Sequence, residues 1–149
     1  MPADIFVDTN VLVYSRDASE LAKQAQAHAW VEHLWRTRTG RLSYQVLQEY
    51  YVTVTEKLSP GLSADSARKD VLALCAWQPV AMDRRVLEGA WQVQDRYRIS
   101  WWDALLIVSA ARLADCRYLL SEDLQTNQEF VRLKVISPFR LSPRALDAQ

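Results

Sequence analysis

The chain has 149 residues, half of them hydrophobic and about a quarter charged, the profile of one ordinary globular domain able to bury a core. Basic and acidic residues number 18 each, for a formal charge of zero, and no apolar run reaches the roughly 18 residues of a membrane span. The opening Met1-Pro2-Ala3-Asp4 lacks the positive patch and apolar centre of a secretory signal, so a cytoplasmic protein without a membrane partner is expected. Cys75 and Cys116 are the only cysteines; two suggest neither a disulfide framework nor a cysteine metal site, and both read as reduced core residues.

Ile5 to Val7 reads as a short buried strand, central in its sheet, with Val11 to Tyr14 turning away as a first helical turn. Ser19 reads as the cap of a helix through about Arg38, with Leu21, Ala25, Ala29 and Leu34 inward and His28 and His33 on the surface. Arg41-Leu42 suits a brief strand. Ser43 to Lys57 reads as helix with Val46, Leu47, Tyr50 and Val54 inward, although the β-branched run Val52 to Thr55 also suits a strand. Ser59-Pro60-Gly61 is the clearest break. Ser63 caps a helix to about Cys75, with Val71, Leu72 and Leu74 apolar. Pro79 to Ala81 resembles a short strand, Asp83 opens a helix to about Arg96, and Ser100 opens the most apolar helix, Trp101 to Leu113. Tyr118–Leu120 and Lys134–Ile136 are the last strands, Pro138 ends regular structure, and the tail from Leu141 is expected to fray.

Helices alternating with short apolar strands imply a single α/β domain, a parallel sheet covered on both faces as a three-layer α/β/α sandwich. Ligands of such sheets sit beyond the carboxyl ends of the strands. Asp8 directly follows the first strand, and Glu122-Asp123 follows Tyr118–Leu120. Two further acids stand out by context. Glu49 lies between inward positions of its helix, and Asp103 opens the apolar helix. If Asp8, Glu49, Asp103 and Asp123 converge, their repulsion requires a cation, and an all-oxygen set favours Mg²⁺ or Mn²⁺. Such a cage suits phosphodiester cleavage. With those four acids set aside, 18 basic residues face 14 acidic ones, a balance compatible with nucleic acid. Each acid also has a structural explanation. Asp103 sits at capping-box spacing from Ser100, Asp8 suits a turn cap shared with Thr9 or Asn10, Glu49 a solvated helix face, and Asp123 a helix N-terminus.

Val7-Asp8-Thr9-Asn10-Val11-Leu12, the helix acid Glu49, Ser100-Trp101-Trp102-Asp103-Ala104-Leu105 and Leu120-Ser121-Glu122-Asp123-Leu124-Gln125 together resemble PIN-domain ribonucleases, and more narrowly the VapC-type toxins of toxin–antitoxin pairs. The resemblance covers about residues 4–139, so the PIN domain would span 1–140, with 141–149 as a tail. It implies a Mg²⁺- or Mn²⁺-dependent endoribonuclease with Asp8, Glu49, Asp103 and Asp123 as catalytic acids. Asp8 and Asp103 would bind the metal, and Thr9, Asn10, Ser100 and Glu122 would support them. It further implies an RNA substrate, a homodimer and a small antitoxin that covers the site. Thr126-Asn127 stands where the family often has a glycine, a change Asn tolerates, and Ser137 stands where it often has Asn.

Aspartyl-phosphate phosphatases also place an acid after the first strand, but they need a second acid two residues on, where this chain has Asn10. A catalytically idle binding module and a housekeeping RNA-processing nuclease remain as alternatives; the complete acid set speaks against the first. Trp101 and Trp102 could stack on a base or pack against a helix or dimer partner. Arg84, Arg85, Arg96 and Arg98 could contact phosphate or lie on solvated helix faces.

Overall fold

A computed structural model describes residues 2–148. Five strands form one sheet in the order β2-β1-β3-β5-β4, with β1 at Asp4–Val7, β2 at Gly40–Arg41, β3 at Cys116–Leu120, β4 at Glu129–Phe130 and β5 at Leu133–Ile136. All neighbours pair in parallel except the β4–β5 edge hairpin. The middle strand is β3, not β1 as the sequence suggested. Phe6 and Val7 point to opposite sides of the sheet, as do Leu119 and Leu120, and all four are fully buried. Side chains alternate across a strand, so both faces are covered and the fold is the expected three-layer α/β/α sandwich.

The helices are α1 (Thr9–Tyr14), α2 (Leu21–Thr37), α3 (Tyr44–Val52), α4 (Ala64–Leu74), α5 (Arg84–Tyr97), α6 (Trp101–Ala111) and α7 (Pro143–Asp147). Ser43, Ser63, Asp83 and Ser100 cap α3, α4, α5 and α6, each accepting a hydrogen bond from the backbone three residues on, as side-chain oxygens at helix starts do. The apolar α6 packs on β3 and β5 and is backed by α5, where Gly89 allows close approach: a Cβ there would lie 3.0 Å from Val108.

Several expectations change. The cap of α2 is Glu20, not Ser19, because Ser19 is held in a local turn by the Asp17 carboxylate. The buried face of α2 is Ala27, Trp30, His33 and Leu34; Leu21 is 72% exposed, and Ala25 and Ala29 face outward too. Trp30 sets this rotation, since its Nε1 donates to the carbonyls of Pro138 and Leu141. His33 is thereby buried rather than on the surface. The helix read through Lys57 is α-helical only to Val52; Thr53–Lys57 is a π turn, closed by Leu58 N donating to Thr53 O at 3.0 Å. Val46, Leu47, Tyr50 and Val54 are inward as expected, whereas Leu72 of α4 is exposed. Pro79–Ala81 supplies only one bridge, between Val80 and Ser43. In place of a frayed end, Pro143–Asp147 forms α7, and Leu141 and Leu146 pack on the core. Among the described residues no helix is long and apolar enough to cross a membrane.

Candidate active site

The register of the sheet builds the site. Val7 lies opposite Leu120, and Leu120 opposite Ile136, so the residues that follow β1 and β3 emerge side by side. Asp8 N donates to Leu120 O at 2.9 Å, and Ser121 N to Ile136 O at 3.0 Å. Asp8 caps α1, its Oδ1 accepting from Thr9 N at 2.7 Å. Its Oδ2 accepts from Ser121 Oγ at 2.7 Å and from Asn10 Nδ2 at 3.1 Å. A carboxylate has about four acceptor positions; three are filled by the protein, and one on Oδ1 is open.

The other acids approach from three elements. Glu49 on α3 accepts from Thr9 Oγ1 at 2.8 Å and from Gln45 Nε2 at 3.0 Å. Asp123 accepts from Asn10 Nδ2 at 3.1 Å, and its N–H donates to Ser121 Oγ at 3.2 Å. Asp103 opens α6. Its N–H donates to Ser100 Oγ at 3.1 Å, the first half of a capping box, but no bond from Ser100 N to the Asp103 carboxylate completes it among the described residues. That carboxylate instead lines the cavity, so Ser100 is the cap and Asp103 is free for other work.

The cavity holds about 520 Å³ and is lined by Asp8, Asp17, Glu49, Asp103 and Asp123, with Trp102 at its wall and neither Lys nor Arg in the lining. Burial pushes the Asp8 carboxyl up to about 6; the hydrogen bonds from Ser121 and Thr9 pull it down, and the charges of Asp123 and Glu49 raise it again. Desolvation and like charges together are what a bound cation would relieve.

The sequence placed Glu122 beside these acids. Its carboxylate faces the other way, ion-paired to Lys23 Nζ at 2.7 Å and accepting from Tyr14 Oη at 2.9 Å. Only its backbone enters the site, donating from N to Asn10 Oδ1 at 3.2 Å. Ser121 and Gln45 were missed. Ser121 is fully buried and joins Asp8, Asn10 and Asp123; a hydroxyl immediately after a strand in register with the one before Asp8 was its signal. Asp17 also lines the cavity, but its Oδ1 is occupied by Ser19.

The donor set fits a hard divalent ion. It is all oxygen, neither histidine lines the cavity, and Asp8 retains an open acceptor position. Among the described residues no three acids lie close enough to form a closed cage. Mg²⁺ does not require one, since it keeps several waters and takes one or two carboxylates directly.

The sequence profile of the PIN domain matches residues 5–128. The chain belongs to the PIN domain family. That match runs from within β1 through the turn after β3, so every acid of the cavity lies inside it. PIN domains are typically nucleases. Two solved structures share this PIN fold. A toxin–antitoxin complex from Klebsiella pneumoniae aligns with a TM-score of 0.63 at 15% identity, covering 93% of this chain and 100% of that one. VapBC2 from Rickettsia felis, bound to a DNA fragment from its promoter, aligns with a TM-score of 0.58 at 13% identity, covering 89% and 97%. A comparison with curated proteins yields no match.

Proposed function

We propose that the protein is a Mg²⁺- or Mn²⁺-dependent endoribonuclease and the toxin of a toxin–antitoxin pair. The observation that carries the nuclease reading is a cavity walled by five carboxylates with neither Lys nor Arg in its lining, at the carboxyl ends of parallel strands where ligands of such sheets bind. Asp8 and Asp103 would hold the metal, which when bound supplies charge neutralisation at phosphorus and an activated water. The chain's own part is positioning. Thr9 N, Ser121 and Asn10 fix the Asp8 carboxylate. Thr9 Oγ1 and Gln45 fix Glu49, which with Asp123 would orient the attacking water or accept its proton. Asn10 holds Asp8 and Asp123 on one amide.

The toxin role and an antitoxin partner are supported by the sequence motifs and by the toxin–antitoxin nature of the two solved complexes of this fold, and a homodimer by the sequence resemblance alone. A housekeeping RNA-processing nuclease would use the same acids. Incubation with single-stranded RNA tests the activity: cleavage with Mg²⁺ or Mn²⁺ and none with EDTA is expected, and an uncut strand under all conditions refutes it. Arrest of growth on induced expression separates toxin from housekeeping enzyme.

A further inference from the structure

The acid cavity does not end at its acids. Trp102 forms its wall and also the wall of a second cavity of about 650 Å³, which Thr9, Gln45, Glu49 and Thr53 share and which Val52, Met82 and Lys57 complete. The two paired tryptophans at the start of α6 have separate roles. Trp101 is half-buried and stacks on Trp91 of α5, ring centres 6.4 Å apart and 28° from parallel. Trp102 is 62% exposed and stacks on no aromatic ring among the described residues, one residue before the acid Asp103. Across the second cavity, Val52 and Met82 are exposed as well. Lys57 ends the π turn, a helical irregularity that recurs at functional sites, and it forms no ion pair among the described residues. Gln45, at the junction of the cavities, has a buried Oε1 with no donor.

We infer that this second cavity is a nucleobase subsite, in which Trp102 stacks on the base adjoining the cleaved phosphate and Lys57 contacts a neighbouring phosphate. This rests on the nuclease reading of the acid cavity and deepens it. Continuity with that cavity argues for the occupant: a strand whose phosphate reaches the acids can set its next base against Trp102, which walls both cavities. A π-face accepts any base, and one cation beside an otherwise acidic cleft matches a polyanion that has just passed the metal. Trp102 is therefore a positioning residue for RNA, while Trp101 is a packing residue of the α5–α6 pair.

The test is binding of dye-labelled single-stranded oligouridylate and of the same strand with abasic sites, followed by anisotropy with Mg²⁺ present, in an Asp8→Asn background that leaves the strand uncut. Trp102→Ala is expected to weaken the base-bearing strand by about 5- to 100-fold, the range of one base–aromatic stack, and to leave the abasic strand unchanged. Trp102→Phe retains most of the affinity. Lys57→Gln weakens both strands alike and lowers the slope of log K against log salt by about one. Equal affinity of Trp102→Ala and its parent for the base-bearing strand overturns the subsite. So does an equal loss on both strands with a shift from dimer to monomer in light scattering, which assigns Trp102 to a protein interface. Failure of the nuclease reading is seen separately, as absence of Mg²⁺-dependent cleavage by the otherwise unaltered chain.

Discussion

The strand β1 carries an aspartate at each end. Asp4 begins it and Asp8 follows it, and burial raises the carboxyl pKa of both. At the Asp4 end the chain supplies its own answer: the Arg41 guanidinium from β2 lies 3.6 Å from the Asp4 carboxylate and opposes the upward shift more strongly than the Asp115 charge adds to it. At the Asp8 end the neighbours are Asp123 and Glu49, which add to it. A carboxylate that serves only the fold is given a cation from within the chain. Asp8, on the proposed reading, is left with hydrogen bonds, like charges and an open acceptor position, and would take its neutralising partner from outside.

Two substitutions probe that difference. The largest effect is expected on cleavage: Asp8→Asn lowers the RNA cleavage rate by on the order of a thousandfold or more, as losing a metal-bound transition-state contact should. Asp4→Asn leaves the rate within about twofold and costs at most about 1 kcal/mol of stability, the usual range for a partly exposed ion pair. Equal rates for all three proteins would place the chemistry elsewhere.

Next comes stability against pH in chelator. The Asp8 carboxyl titrates near 6 in the folded chain against 3.8 unfolded, so the folded state binds that proton more tightly. Its contribution is fully present below about pH 4 and disappears as pH rises through 6, a loss of about 3 kcal/mol. Asp8→Asn removes that slope, so urea melts at pH 4.5 and 7 converge for this group. Mg²⁺ then raises Tm at pH 7 in the parent chain and not in Asp8→Asn; a slope unchanged by the substitution would show that Asp8 is solvated.

The smallest effect separates neighbours on α6. Ser100→Ala loses the cap and costs about 1 kcal/mol, whereas Asp103→Asn in chelator leaves the melting point level, because its carboxylate caps nothing. Strong destabilisation by Asp103→Asn would restore the capping role that its spacing suggested.

That last pair shows where sequence reading stopped. Ser100-x-x-Asp103 taken alone reads first as a capping box and only second as a metal ligand, and the missing return bond from Ser100 N leaves the box incomplete. The strand ends were legible because buried parallel strands are continuous apolar runs and polar residues at their carboxyl ends stand out. Ser121 was not, since a serine after a strand looks like a turn residue until register sets it beside Asp8. Glu122 and Asp123 were read as a pair, but successive residues leaving a strand point apart, and Lys23, nearly a hundred positions earlier, takes Glu122 away. The rotation of α2 was obscured by its alanines, which weight no face, and depended on an indole finding carbonyls in Pro138 and Leu141. The π turn at Thr53–Lys57 reconciles the two readings of that segment: the β-branched run loosens the helix without turning it into strand.

The amide of Asn10 joins Asp8 to Ser121 and Asp123, and accepts from the backbone of Glu122, across more than 110 positions of sequence. The cavity is thus sewn from the first and last parts of the catalytic region. During synthesis on the ribosome, the acids near the N-terminus emerge early but stay incomplete until Asp123 has emerged and β3 has docked beside β1. A chain truncated before Asp123 lacks both that acid and the amide contact that ties it to Asp8.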